Sequence, residues 1–144
     1  MIVTPPEEKR ELVSGSGRVL IVEPDELIRS AARRLLNRLG YQASTASSGA
    51  VANRKVQQAR AAGKPIEVIF LDQGLPSEPG VAEVLRSVRK SDPGIKAVIT
   101  GGQPSAPEMV QYRDFGFQSR LSKPYDPAEF CKILLELLPH KSEA

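Results

Sequence analysis

The stretch Val68-Ile69-Phe70-Leu71-Asp72 decides the fold of this 144-residue chain. Its first four residues form a continuous apolar run, which is typical of a strand covered on both faces of a parallel sheet. The run ends at an acidic residue. A loop rich in glycine and proline follows over residues 73–80, and apolar residues then recur at helical spacing. A buried strand, a loop and an amphipathic helix in this order predict one βα unit.

The same unit recurs on both sides of this stretch. Upstream, Val19-Leu20-Ile21-Val22 predicts another buried strand, and the helix that follows it ends at Gly40. The predicted strands cover residues 19–22, 41–46, 68–71, 95–99 and 118–121. A helix is expected after each strand. This alternation predicts an α/β domain in which a parallel sheet carries helices on both faces, joined by right-handed crossovers.

Several residues are typical of helix starts. A side-chain oxygen just before a helix accepts hydrogen bonds from the first free backbone N–H groups. The predicted caps are Ser47 or Ser48 for the second helix, a Ser105–Glu108 capping box for a weak fourth helix that reaches Phe115, and Asp126 before Pro127 for the fifth.

The chain is expected to contain a single domain with a short segment at each end. Residues 1–17 include Pro5-Pro6, a charged run and Ser14-Gly15-Ser16-Gly17, a composition typical of a flexible linker or tail. We therefore predict a flexible N-terminal segment over 1–17, the folded domain over 18–139 and a C-terminal tail over 140–144. A chain of this length fits one compact domain.

Composition excludes several classes of function. The only cysteine, Cys131, rules out an internal disulfide, and a lone His140 argues against a His-rich metal site or a Ser-His-Asp triad. No apolar run approaches the roughly 20 residues that a membrane span needs, so we expect a cytoplasmic protein without membrane insertion. The net charge of +3 is mild, the basic residues are dispersed and tryptophan is absent, which argues against nucleic-acid binding by this chain.

Polar residues stand where four of the predicted strands end. Glu23 follows the first strand, Asp72 the third, Thr100 the fourth and Lys123 the fifth. Because ligands of open α/β sheets bind at the carboxyl ends of the strands, we expect these side chains to converge in one pocket.

This grouping suits the transfer of a phosphoryl group to a carboxylate. Asp72 would be the nucleophile, since an aspartate can form an acyl phosphate. The phosphoryl group carries negative charge on its oxygens, which Lys123 would meet as a point charge and Thr100 as a hydroxyl donor. A Mg²⁺ ion, which prefers oxygen ligands, would take the remaining oxygen.

These residues belong to motifs that resemble the receiver (response-regulator) domain of bacterial two-component signalling, from Arg18 to about Leu138. The motifs are Val19-Leu20-Ile21-Val22-Glu23 with Leu27-Ile28-Arg29, Phe70-Leu71-Asp72 with Leu75-Pro76 and Gly80, Thr100-Gly101, and Ser122-Lys123-Pro124-Tyr125. More narrowly, the chain is similar to the C-terminal receivers of hybrid sensor histidine kinases. That similarity is carried by Gly15-Ser16-Gly17-Arg18, Ala61-Ala62-Gly63-Lys64-Pro65 and Tyr112-Arg113-Asp114-Phe115-Gly116-Phe117.

The resemblance implies a flavodoxin-like (βα)5 fold with strand order 2-1-3-4-5 and a phosphorelay role as a signalling domain rather than an enzyme. It implies that Asp72 receives a phosphoryl group from a histidine kinase or histidine phosphotransfer protein. Mg²⁺ would be held by Asp72, by an acid after the first strand and by the carbonyl of Gly74. It also implies a cis bond between Lys123 and Pro124, and a homodimer is compatible with it.

The chain departs from the receiver pattern at two positions. Receivers place two acids after the first strand, whereas here Glu23 is followed by Pro24, which offers neither a carboxylate nor an N–H. Asp25 falls one residue too late and is expected to cap the first helix. We therefore expect weaker Mg²⁺ binding and slow or absent phosphorylation, unless Glu23, one methylene longer than aspartate, reaches the ion. The other role open to Glu23 is that of a helix-start acid favoured by the helix dipole. Arg120 replaces the aromatic switch residue of many receivers, and its head group should stay in water.

Three functions remain open at this point. The first is a phosphoacceptor receiver with an impaired metal site. The second is a phosphorylation-independent pseudo-receiver that acts as a protein-interaction module, which Pro24 and Arg120 favour. The third is a flavodoxin-like binder of flavin or another small molecule, which the fold alone allows although no phosphate-binding loop follows the first strand.

Overall fold

The computed structural model describes residues 12–138 of the chain. Within this part the chain forms five strands, each followed by a helix, as predicted. The strands are β1 (Arg18–Val22), β2 (Gln42–Ala46), β3 (Val68–Asp72), β4 (Lys96–Gly101) and β5 (Ser119–Ser122). The helices are α1 (Glu26–Arg38), α2 (Gly49–Ala61), α3 (Gly80–Ser91), α4 (Pro107–Val110) and α5 (Pro127–Leu137).

The strands form one parallel sheet in the order β2-β1-β3-β4-β5. This confirms the predicted flavodoxin-like (βα)5 architecture and its 2-1-3-4-5 order. The chain first moves from β1 to β2 on one side and then crosses back to β3 on the other side of β1. The topological switch point therefore lies between β1 and β3, where open α/β sheets carry their ligand crevice.

Each face of the sheet has its own hydrophobic core because successive side chains of a strand point to opposite faces. On one face, β1 and β3 pack against α1 and α5, and on the other they pack against α2 and α3. The first core includes Val19, Ile21, Leu36, Phe70, Phe130 and Leu134. The second includes Leu20, Val22, Val56, Ile69, Leu71, Leu85 and Met109. Both cores hold the carboxyl ends of β1 and β3 in place.

Three of the predicted helix caps are confirmed. Asp25 caps α1 by accepting hydrogen bonds from the N–H groups of Leu27 and Ile28, at 2.9 and 3.2 Å. Ser48 caps α2 and Asp126 caps α5 in the same way. Because its carboxylate caps α1, Asp25 is directed to the helix rather than to the crevice, as the sequence indicates.

The predicted fourth helix is wrong in its length and its cap. Instead of reaching Phe115, α4 covers only Pro107–Val110, and its N-cap is Ala106, which makes no side-chain cap hydrogen bond. The Ser105–Glu108 capping box does not form. The Glu108 carboxylate instead accepts a hydrogen bond of 2.7 Å from the side-chain amide of Gln73, a tertiary contact that replaces the local one.

The predicted end segments fall partly outside the described residues. Residues 1–11 of the expected N-terminal segment and all of the expected tail 140–144 lie outside them. Residues 12–17 lie against the domain, where the Gly15 N–H donates to the Leu39 carbonyl at 2.9 Å and Leu12 packs on the α1–α5 core. Across residues 12–138, no helix combines the length and apolar character that a membrane crossing requires.

Candidate functional site

The carboxyl ends of β3 and β4 bring two of the predicted site residues side by side. Asp72 and Thr100 are register partners at the ends of these adjacent strands. Both are almost completely buried, each with 2% of its surface exposed. Lys123 follows the end of β5, and its bond to Pro124 is cis, as predicted. The sheet thus delivers three polar side chains to one edge.

The carboxylate of Asp72 is the centre of the site. Its Oδ1 accepts a hydrogen bond of 3.0 Å from the Thr100 hydroxyl and forms an ion pair of 2.9 Å with the Lys123 ammonium. Its Oδ2 accepts a hydrogen bond of 2.7 Å from the Gly74 N–H. The predicted convergence of Asp72, Thr100 and Lys123 is therefore present in the structure.

Glu23 is a full member of this cluster. Its side chain is 1% exposed, and its Oε1 forms an ion pair of 2.9 Å with the Lys123 ammonium. The same oxygen accepts from the Tyr125 hydroxyl at 3.3 Å, while Oε2 accepts from the Asp25 N–H at 3.0 Å. Sequence alone left Glu23 divided between a helix-start acid and a metal ligand, whereas in the fold both of its oxygens already have donors.

Lys123 balances two carboxylates, so two negative charges and one positive charge leave a net charge of −1 in the cluster. Burial disfavours its ammonium, but the hydrogen bonds and charges of Asp72 and Glu23 outweigh this cost and raise the pKa of Lys123. Lys123 is thus held in its cationic form beside the Asp72 carboxylate.

Tyr125 completes the wall of the site, and sequence reasoning gave it no role. Burial, with the nearby carboxylates, raises the pKa of its phenol well above the ordinary value, so the hydroxyl remains a donor to Glu23. The sequence signal for Tyr125 was its membership of the receiver-like motif Ser122-Lys123-Pro124-Tyr125, on the loop that leaves β5.

The family comparison agrees with this geometry. Residues 19–135 match the model of the response regulator receiver domain. The chain belongs to this family. It is therefore a receiver domain of two-component signalling, and the predicted family is confirmed.

Two relatives and one solved structure illustrate the similarity. The receiver is 29% identical over 134 residues to the sensor kinase CckA of Brucella abortus, covering 91% of this chain but only 13% of that protein. It is 26% identical to the sporulation initiation phosphotransferase F of Bacillus subtilis, covering 87% of this chain and 96% of that protein. The receiver domain of a sensor histidine kinase from Pseudomonas aeruginosa PAO1, solved with magnesium in its active site cleft, is 21% identical, with a TM-score of 0.71 and coverage of 85% and 98%.

Pro24 lies beside the loop that follows Asp72, at one of the two positions where the sequence departs from the expected receiver pattern. A Cβ built on Gly74 would lie 2.7 Å from Asp72 Oδ2 and 3.7 Å from the Pro24 ring, so the ring and the carboxylate flank the same glycine. The Arg29 guanidinium donates to the carbonyls of Glu23 and Pro24, at 2.8 and 3.2 Å, and fixes this turn. An apolar ring thus occupies the neighbourhood of the missing acid.

The oxygen donors available to a metal ion are few. Among residues 12–138, no group of three or more histidine, cysteine, aspartate or glutamate side chains is placed to hold a metal. Asp72 and the carbonyl of Gly74 offer the oxygen ligands that a hard cation prefers. Glu23 could bind the ion only by giving up its hydrogen bond with the Asp25 N–H or its ion pair with Lys123. The donor set fits Mg²⁺ only in part.

Gln73, which had no predicted role, connects two loops of the site. Its side-chain oxygen accepts from the Gln103 N–H at 3.1 Å, and its amide donates to the Gln103 carbonyl at 3.2 Å and to Glu108 at 2.7 Å. Its backbone N–H donates to the Thr100 carbonyl at 2.7 Å. The loop after Asp72 is therefore tied to the loop after Thr100.

Arg120 is held at the surface, as its predicted preference for water indicates. Its residue is exposed, and its guanidinium donates to the Met109 carbonyl at 2.9 Å. The guanidinium also lies 5.4 Å from the centre of the Tyr112 ring. At the position where the sequence pattern led us to expect an aromatic switch residue, the structure has a cation anchored to α4.

Proposed function

We propose that this receiver accepts a phosphoryl group on Asp72 from a phosphohistidine of a histidine kinase or histidine phosphotransfer protein. The observation that supports the proposal is the pairing of one carboxylate oxygen, Asp72 Oδ1, with both the Thr100 hydroxyl and the Lys123 ammonium. Both partners are donors of the kind that a bound phosphoryl group requires. The domain would signal as a cytoplasmic phosphoprotein, alone or within a hybrid histidine kinase.

The chemistry needs no other nucleophile. An oxygen of Asp72 attacks phosphorus, a new O–P bond forms, and the P–N bond to the donor imidazole breaks with the electron pair going to nitrogen. Lys123 and Thr100, which now contact the carboxylate, would turn to the oxygens of the transferred group. The Asp72 carboxylate would lose its own charge when the acyl phosphate forms. Lys123, which now balances that charge, would then meet the negative phosphoryl oxygens.

We infer further that Mg²⁺ binds this receiver weakly. Asp72, the Gly74 carbonyl and Glu23 would hold the ion, which would neutralise charge on the phosphoryl oxygens. Pro24 supplies no carboxylate, and Glu23 is already engaged by Lys123 and by the Asp25 N–H. Fewer negative ligands reduce the attraction for a divalent cation, and octahedral Mg²⁺ tolerates distortion poorly.

Modification of the full chain by acetyl phosphate at millimolar Mg²⁺, followed by intact-mass and peptide mass spectrometry, tests the phosphoacceptor role. We expect an acid-stable, base-labile addition of one phosphoryl group at Asp72 and its loss in Asp72→Asn. Asp114→Asn, at an exposed position outside the site, is the matched control and should be modified as the native chain is. A folded protein that gains no adduct at any Mg²⁺ concentration would refute the proposal.

A pseudo-receiver that binds a partner without phosphate is the second candidate. The Pro24 ring beside Gly74 and the anchored Arg120 favour it. If it is correct, the affinity for a purified histidine phosphotransfer domain stays within about twofold in Asp72→Asn and does not respond to acetyl phosphate. An affinity that changes strongly with either treatment would contradict it.

A further inference from the structure

Tyr125 connects the charged cluster of the site to an apolar groove on the outside of the domain. Its hydroxyl donates to Glu23 Oε1 at 3.3 Å, and the same oxygen pairs with the Lys123 ammonium. Its ring lines a groove of about 650 Å³ between α1 and α5, together with Ile28 and Leu35 of α1. A movement of this one side chain would therefore change both the cluster and the groove.

The ring of Tyr125 packs against buried aromatic side chains beneath the site. It meets the Phe130 ring edge-on, with 5.4 Å between the ring centres, and the Phe130 ring lies 4.8 Å from that of Phe70. Phe70 and Phe130 are each 1% exposed, so close packing fixes their positions, whereas Tyr125 is partly exposed. Of these three rings, Tyr125 is the one that can shift without repacking the core.

The Tyr125 hydroxyl shares its acceptor with the ammonium that phosphorylation would redirect. Lys123 lies 2.9 Å from both Glu23 Oε1 and Asp72 Oδ1, so it balances two carboxylates. A phosphoryl group on Asp72 carries more negative charge than the carboxylate that it modifies, and the lysine would turn towards it. Glu23 Oε1 would then lose its charged partner. Among the described residues, Tyr125 is the other donor to this oxygen.

We propose that Tyr125 is a positioning residue that transmits the phosphorylation of Asp72 to the groove between α1 and α5. This inference deepens the proposed function and rests on it. Glu23 is 1% exposed, and a buried carboxylate oxygen that loses one donor depends more strongly on the donor that remains. The hydrogen bond from Tyr125 should therefore shorten from its present 3.3 Å. The ring follows its hydroxyl towards the site, and the groove widens at the place that the ring leaves.

Fluorine NMR of the full chain labelled with 3-fluorotyrosine tests the movement of the ring. The chain has three tyrosines, and Tyr125→Phe assigns the Tyr125 signal by its loss. Acetyl phosphate with Mg²⁺ should shift this signal by more than its linewidth relative to Mg²⁺ alone. The signal of Tyr41, which is 3% exposed, should stay in place, and equal shifts of both signals would contradict a local movement.

Intact-mass spectrometry of the same sample separates the inference from the proposed function. A Tyr125 signal that stays in place although Asp72 carries the adduct would overturn the inference and leave the phosphoacceptor role intact. A folded sample that gains no adduct refutes the phosphoacceptor role, and the inference falls with it.

The methyl groups of Ile28 and Leu35 report on the groove. Because an aromatic ring changes the chemical shifts of nearby protons, both methyl signals should move when the native chain is phosphorylated. Tyr125→Phe keeps the ring but lacks the hydroxyl, so these movements should be lost at a matched fraction of adduct. Tyr112→Phe removes a hydroxyl from a ring that lies beside Arg120, outside the cluster, and should retain them. Movements of equal size in the native chain and in Tyr125→Phe would show that the groove responds by another route, and would overturn the proposal.

Discussion

Pro24 is one of the two positions at which this chain departs from the expected receiver pattern, and it is the one that lies beside Asp72 and Gly74. Asp72, Thr100 and Lys123 lie together in the structure, whereas the position expected to carry a second acid is occupied by the Pro24 ring, next to Gly74. The remaining acid, Glu23, has donors on both oxygens. The absence of a second acid should therefore weaken cation binding. It should leave the Asp72 carboxylate unchanged, since none of the contacts of Asp72 depends on a second acid.

Restoring the missing acid should restore the metal site. In Pro24→Asp we expect the Mg²⁺ affinity measured by titration calorimetry to rise at least tenfold, equivalent to about 1.4 kcal/mol. Pro24→Asn is the matched control, since it removes the ring without adding charge, and should change the affinity less than threefold. Equal gains in the two variants would show that the ring, and not the missing charge, limits binding.

At the scale of elements, the loop after β3 and the loop after β4 behave as one unit because of Gln73. Its side chain lies over Gly101 and bonds to Gln103 and Glu108. A Cβ at Gly101 would overlap the Gln73 side-chain oxygen, so only glycine permits this arrangement. The short α4 is thereby connected to Gln73, the residue that follows Asp72.

Gly101→Ala should therefore destabilise the domain by about 1 kcal/mol, the usual net contribution of hydrogen bonds such as those that the displaced Gln73 side chain would lose. The added methyl group would displace the Gln73 side chain and break its hydrogen bonds. In the background Gln73→Ala the same change should cost less than about 0.5 kcal/mol. Urea unfolding of the native chain, the two single variants and the double variant gives the coupling free energy between positions 73 and 101. Additive effects would mean that the side chain does not occupy this space in solution.

Most elements could be predicted because their signals are local. The apolar run of β3, the Asp25 and Asp126 caps and the positive φ of Gly40 each follow from a few neighbouring residues. The Ser105–Glu108 capping box does not form, since Glu108 bonds instead to Gln73, 35 positions away in the chain. Contacts of that kind leave no periodicity or spacing in the sequence.

The candidate site could likewise be predicted only where its signals are local or follow from the topology of the sheet. Convergence of Asp72, Thr100 and Lys123 could be expected because parallel strands deliver their carboxyl ends to one edge. The engagement of both Glu23 oxygens could not. Oε1 meets Lys123 and Tyr125, whose rotamers across the crevice leave no signal in the sequence, and Oε2 depends on the turn that directs the Asp25 N–H towards it.

For the molecule as a whole, the site is a buried charged cluster between two apolar cores. Its ammonium and its phenol both have raised pKa values, because Asp72 and Glu23 hold the proton on Lys123 and burial holds the proton on Tyr125. A group whose pKa is higher in the folded chain binds its proton more tightly there. The stability that these two groups contribute is thus complete at neutral pH and is lost in alkali.

The free energy of unfolding should accordingly fall as the pH rises above about 10, where lysine and tyrosine of the unfolded chain lose their protons. Each such group adds a slope of up to roughly 1.4 kcal/mol per pH unit between its unfolded and folded pKa. Lys123→Met and Tyr125→Phe should each flatten the alkaline decline in urea unfolding between pH 8 and 11, whereas Lys132→Met, at an exposed position on α5, should leave it unchanged. An identical decline in all four proteins would mean that neither proton is bound more tightly in the folded receiver, and the cluster of Asp72, Glu23 and Lys123 would not exist in solution as the structure has it.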